Sequence, residues 1–281
     1  MKLNNGILSA EINSVGAELK SVVKNGREYM WCADGKYWGR TSPVLFPIVG
    51  GLNGKEYIVD GKIYSLGQHG FARDCVFELV KKEDAAVTYM LRADEQSREK
   101  YPYEFSLEIK YVLKNSAVRI EWTVKNEDNK TMYFSIGAHP AFNLKDGKNY
   151  FGFDTPNDIS YSMIDENGLY IENELKTLKN DGFSEIDMKM FDNDALIVEN
   201  NQAKEISLCD ADKVPYVTVR FDAPLFGLWS PAKKNAPFVC IEPWYGRCDK
   251  QGFEGEFSKK DYIISLEQGK TFHVEYEIEF N

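Results

Sequence analysis

The sequence predicts an all-β protein built from two large antiparallel layers. Three observations carry that expectation: apolar and polar residues alternate along several segments, helical periodicity is poor throughout, and aromatic residues make up 14% of the chain. Alternation puts successive side chains on opposite faces of a strand, so that one face is buried and the other wet. Flat aromatic rings pack well on such pleated surfaces.

In chain order, the first strand signal covers residues 7–12. Beyond the turn residues Asn25-Gly26 and Asp60-Gly61, two more cover 75–80 and 87–91. In 107–113, Leu107, Ile109, Tyr111 and Leu113 alternate with Glu108, Lys110 and Val112. Lys114-Asn115-Ser116 then supplies a turn into 118–125, where Val118, Ile120, Trp122 and Val124 face one way and Arg119, Glu121, Thr123 and Lys125 the other. The two segments read as a hairpin of half-buried strands. Shorter signals follow at 205–208 and 216–221, after a turn at Asn180-Asp181-Gly182. The last strand sets Phe272, Val274, Tyr276, Ile278 and Phe280 against His273, Glu275, Glu277 and Glu279, with its acidic row expected in water. Without a fixed-period repeat, a low-complexity tract or a Pro/Gly/Ser linker, residues 1–281 are expected to form a single domain.

The chain carries 34 basic and 44 acidic residues, a formal charge of -10. Binding that neutralises many phosphates needs clustered Lys and Arg, so nucleic acid is not an expected partner. No apolar stretch approaches the ~20 residues of a membrane span. The opening MKLNNGILSAEINS lacks the apolar region and cleavage site of a secretory signal. The five cysteines, Cys32, Cys75, Cys209, Cys240 and Cys248, form no C-x-x-C pair. Together these features lead us to expect a cytoplasmic protein in a reduced compartment.

The three histidines can be weighed singly. His273 falls on the polar row of the last strand, as a solvated surface residue would. His69 stands in Gln68-His69-Gly70-Phe71-Ala72-Arg73, where the glycine lets a ligand or a second backbone come close; a loop hydrogen bond explains it equally well. His139 follows the apolar Met132-Tyr133-Phe134-Ser135-Ile136 and precedes Pro140, which restricts it to extended geometry and is expected to hold the imidazole at a sheet edge. Glu242 lies in Phe238-Val239-Cys240-Ile241-Glu242-Pro243-Trp244-Tyr245, where burial makes a carboxylate costly unless it is paired or tuned. Trp244 and Tyr245 offer flat apolar faces of the kind sugar C–H surfaces pack against, or simply fill core. His139-Pro140 and Glu242-Pro243 thus share one design, an ionisable residue before proline at the end of an apolar strand. No second ligand stands at metal-binding spacing, and nucleophile-elbow, P-loop and dinucleotide fingerprints are absent. What these residues offer is general acid–base chemistry without metal or cofactor.

Taken together, Leu45-Phe46-Pro47, His69-Gly70-Phe71-Ala72-Arg73, His139-Pro140-Ala141-Phe142-Asn143 and Cys240-Ile241-Glu242-Pro243-Trp244 resemble the aldose 1-epimerase (galactose mutarotase) superfamily over nearly the whole chain. The resemblance implies a large antiparallel β-sandwich with a sugar cleft, and interconversion of the α and β anomers of a hexose. It implies that Glu242 is the general base, that His139 is the general acid, and that His69 binds the sugar. Arg40 and Arg73 stand nearest the matching segments, and one of them is expected to contact hydroxyls. Asp194 matches the family's sugar-binding aspartate by its position, with Asp192 as a competing match. Gly51 stands where some relatives carry an arginine, so a basic contact is expected to be missing. The partner is therefore a small sugar, either a free hexose or a hexose phosphate; a sugar-binding protein without turnover is the rival reading. A glycoside-cleaving enzyme is disfavoured because it needs a second carboxylate about 5–10 Å away.

Overall fold

The computed structural model describes all 281 residues. Nine strands form the larger sheet, every neighbour antiparallel, in the order Phe183–Glu185, Tyr150–Phe153, Glu205–Cys209, Pro215–Phe221, Thr271–Phe280, Ala117–Asn126, Phe105–Lys114, Ala86–Arg92 and Glu78–Lys82. Its centre is the predicted hairpin, paired from Phe105 opposite Asn126 to Lys114 opposite Ala117. Asn115 makes the reversal with a left-handed φ of 52°, a conformation asparagine tolerates better than most residues. Leu107, Ile109, Tyr111, Val118, Ile120, Trp122 and Val124 are buried as alternation requires, while Arg119, Glu121 and Lys125 keep contact with solvent.

The last strand lies between Ala117–Asn126 and Pro215–Phe221 and buries Tyr276, Ile278 and Phe280. Its acidic row is not bare: Arg220 donates to Glu279 at 2.7 Å, and Arg119 lies 3.8 Å from Glu275 and from Glu277. His273 is exposed beside Thr123, as expected.

Two expected boundaries shift. The 7–12 signal becomes Ser9–Ile12, with Ile7 exposed. In 75–80 only the end joins a strand, Glu78–Lys82, because a tight 3-10 turn at Ala72–Asp74 leads into it. That strand is the uncovered edge of the large sheet, so even Leu79 and Val80 are exposed. Sequence periodicity also misses the one α-helix, Glu95–Lys100, which is too short to show a period and is held by a reciprocal cap between Asp94 and Ser97. No helix is long and apolar enough to cross a membrane.

The second large sheet runs Leu196–Val198, Leu225–Trp229, Phe238–Tyr245, Ile136–Ala138 and Val44–Leu45, with Ala141–Asn143 also paired to Phe238–Tyr245. One face supplies Val198, Phe226, Leu228, Val239 and Ile241 to a buried cluster of 59 residues that also takes Leu107, Ile120, Trp122 and Ile278 from the nine-stranded sheet. Sheet packs on sheet there, and removal of apolar surface from water holds the layers together. The opposite face carries Ile197, Leu225, Phe238, Cys240 and Trp244, which belong to two smaller clusters. Covered on both sides, Phe238–Tyr245 is buried from Phe238 through Trp244.

Candidate active site

Proline chemistry places the central pair. Ile136 and Gly137 pair with Tyr245 and Trp244, and Ala141, Phe142 and Asn143 pair with Cys240, Val239 and Phe238. The register is continuous across both segments, so His139 falls directly opposite Glu242 in the gap between them. Pro140 and Pro243 have no N–H to give, which is why the ladder opens there. Residues opposite one another on paired strands point to the same face. His139 Nδ1 accordingly lies 3.3 Å from Glu242 Oε1. His139 is therefore held inside the sheet, and Glu242 within a strand; the expected positions at a sheet edge and a strand end are corrected by this pairing.

Both groups are buried, Glu242 at 1% exposure and His139 at 6%, and neither Glu242 oxygen nor His139 Nδ1 has a hydrogen-bond partner. Burial, and then the nearby Asp194, raise the Glu242 carboxyl well above its usual range, and the adjacent Trp244 indole offsets part of this. Burial, with Arg73 and Arg40 behind it, lowers the His139 imidazolium to about 3. Desolvation thus favours the uncharged form of each group, a neutral acid beside a neutral imidazole. An imidazole whose folded pKa lies below its unfolded value of 6.5 costs stability progressively as pH falls from 6.5 towards 3. The His139→Gln variant is therefore expected to lose less stability than the parent over that interval, measured as the urea midpoint against pH.

The pair opens on a cleft of about 740 Å³ counted with the open space at its mouth. His69 lies on its wall, reached by a left-handed turn with φ 65°. The Gly50 N–H donates to His69 Nδ1 at 3.1 Å, and the His69 backbone N–H donates back to the Gly50 carbonyl at 2.9 Å. With Nδ1 accepting, the ring proton sits on Nε2. Burial comes first, with His139, Arg73 and Arg40 behind it, in keeping that ring neutral. Gly70 is required beside it, since a Cβ there would lie 2.3 Å from the Phe46 carbonyl oxygen.

Arg73 lines the cleft and donates from Nη2 to the Gln68 carbonyl at 2.8 Å. Asp194 also lines it, with φ 75° and a carboxylate oxygen taking the Ala195 N–H, whereas Asp192 does not; burial raises the Asp194 carboxyl. Trp244 forms part of the floor. Its indole lies over Gly227, where a Cβ would stand 2.4 Å from the ring, and beside Gly137, where one would stand 2.7 Å away. A Gly227→Ala substitution should push the indole off the floor and cost about 1–3 kcal/mol, seen in the urea midpoint and the tryptophan emission.

Arg40 does not line the cleft: its guanidinium is engaged by Asp74 at 2.8 Å, and Asp74 in turn lies 3.8 Å from Arg73. Two residues with no signal in the sequence complete the surround of His139. Trp38 stacks on the imidazole with centroids 4.7 Å apart, and Trp229 meets it edge-on at 5.0 Å. Spacing along the chain offers no metal site, yet the fold brings one donor atom each from His139, Cys240 and Glu242 within 4.8 Å of one another.

A family model described as aldose 1-epimerase matches residues 1–279. Protein LacX, chromosomal, of Lactococcus lactis subsp. lactis is 31% identical over 266 residues, covering 88% of this chain and 87% of that protein. Among solved structures, a galactose mutarotase related enzyme from Lactobacillus acidophilus superposes with a TM-score of 0.94 at 34% identity, covering 100% of this chain and 97% of that one. A galactose mutarotase-like protein from Lactobacillus casei gives a TM-score of 0.94 at 28% identity, covering 100% and 99%.

Proposed function

We propose, from the premise that this chain belongs to the aldose 1-epimerase family, that it interconverts the α and β anomers of an unphosphorylated hexose, using Glu242 and His139 to move protons. The observation that carries this reading is the pair itself: a carboxyl and an imidazole 3.3 Å apart, buried, without other partners, at one sugar-sized cleft.

Glu242 takes the proton of the anomeric hydroxyl and His139, through Nε2 on the far side of its ring from Glu242, protonates the ring oxygen as the C1–O5 bond breaks. Rotation about C1–C2 turns the other carbonyl face, and reverse transfers close the opposite anomer. The working state, carboxylate beside imidazolium, holds the same single proton as the neutral resting pair. Sugar hydroxyls donating to the open Glu242 oxygens stabilise that partition, since hydrogen bonds to the charged form favour it. His69, with its proton on Nε2, is placed to donate to the sugar, and Arg73 and Asp194 to hold hydroxyls. Trp244 gives the pyranose an apolar floor.

A free sugar is favoured over a phosphorylated one by charge. Arg73 is the sole Lys or Arg on the cleft wall, against the carboxyls of Asp194 and Glu242. Phosphate recognition calls for convergent cations. In polarimetry with freshly dissolved α-glucose and α-galactose, relaxation should be faster with protein than without, and at least about tenfold faster than any effect on the 6-phosphates, a margin of about 1.4 kcal/mol. Equal or better turnover of a 6-phosphate would reverse the assignment of substrate class.

A further inference from the structure

We propose that His139, Cys240 and Glu242 form a binding site for a thiophilic divalent cation of the zinc or cadmium kind. Cys240 stands two residues before Glu242 on the same strand, hence on the same face, and all three side chains are buried. Their donor atoms lie within 4.8 Å of one another, and the 3.3 Å between His139 Nδ1 and Glu242 Oε1 is closed by no hydrogen bond. That separation matches the edge of a tetrahedron with metal–ligand bonds of about 2.0–2.2 Å, roughly 3.3–3.6 Å. Three buried donor atoms this close, with the His139 and Glu242 atoms free of other partners, need little rearrangement to share an ion.

The donor set decides which ion. One imidazole nitrogen, one sulfur and one carboxylate oxygen suit zinc or cadmium, whereas magnesium and calcium prefer oxygen alone. Charge also balances: bound through the Glu242 carboxylate, the Cys240 thiolate and the neutral His139 imidazole, with the displaced protons released to solvent, +2 against two anionic ligands leaves a neutral site. Neutrality matters here because burial makes any net charge expensive. An ion there occupies the atoms of the proposed proton relay, so zinc is expected to slow anomer exchange and a chelator to restore it.

The binding claim is testable independently of turnover. The purified full-length chain is titrated with Cd2+, following the ultraviolet thiolate-to-cadmium absorption, and with Zn2+ by calorimetry. One equivalent should bind with the thiolate signal. Cys240→Ser and His139→Gln should each weaken binding by more than about 100-fold, beyond what loss of an outer partner causes. Cys32→Ser, at an exposed cysteine, should leave it unchanged. Near-ultraviolet circular dichroism identifies any variant that has not folded, and the other then carries the comparison. Absence of a thiolate signal in the parent, or its persistence in folded Cys240→Ser or His139→Gln, would overturn the site. Metal binding in a chain that proves inactive on sugars would leave the site standing and remove the epimerase reading; anomer exchange by a chain that binds no metal would do the reverse.

Discussion

The Glu242→Gln variant is expected to lose anomer exchange by about 10²–10⁴-fold, the span attributed to a positioned proton-transfer group. Binding of the sugar should change only a few-fold, because the amide keeps the shape of the carboxyl and the rest of the cleft is untouched. The same substitution should stabilise the fold. Glu242 has a folded pKa raised by burial above its ordinary 4.5, so its native form holds a proton that the unfolded chain releases. Stability tied to such a group is fully present below the unfolded value and declines as pH rises towards the folded one. Glutamine does not titrate, so the stability advantage of the variant should widen as pH climbs from about 4.5. Polarimetry, calorimetric sugar binding and urea midpoints at several pH values check the three parts. A variant that is inactive yet less stable across that range would show that the carboxylate is stabilised by partners the fold does not provide.

The His139→Gln variant should lose a comparable factor, and the combined Glu242→Gln/His139→Gln variant should be no more than about tenfold slower than the worse single. Groups that act as a unit are non-additive, since removing one already disables the other. Here the two sit opposite one another in a single gap of the ladder, 3.3 Å apart, so either alone has no partner for the return transfer. Additive losses, each single multiplying the other, would assign them to separate roles. Trp38, stacked on the imidazole, and Trp229, edge-on to it, hold the ring by packing in the parent and should not rescue the single variants.

The fold was legible where one face of a strand meets water. Residues 107–125 and the last strand declare themselves by alternation because the nine-stranded sheet has a solvent side. Phe238–Tyr245 shows no alternation because clusters cover both its faces, and Glu78–Lys82 breaks the rule the other way, with apolar side chains left out on an uncovered edge. At the site, His139 and Glu242 could each be singled out by a proline beside them and an apolar setting. Their meeting could not, since it depends on a register between segments a hundred residues apart. Arg40 looked equivalent to Arg73 along the chain and is distinguished only in the fold, where Asp74 takes its guanidinium at 2.8 Å and Arg73 alone lines the cleft. Trp38 and Trp229 carried no signal because, inside apolar or aromatic stretches, a residue facing the cleft reads the same as one facing the core; Cys240 stood in a recognised motif, but its approach to His139 depends on the same register.

Exchange spectroscopy by nuclear magnetic resonance on an equilibrated hexose reads the chemistry without any coupled reaction. Magnetisation transferred between the α and β anomeric protons should rise in proportion to added protein and fall to the protein-free level when Glu242→Gln replaces it. Transfer that never exceeds the protein-free level for any aldose, or that survives intact in Glu242→Gln, would contradict the account.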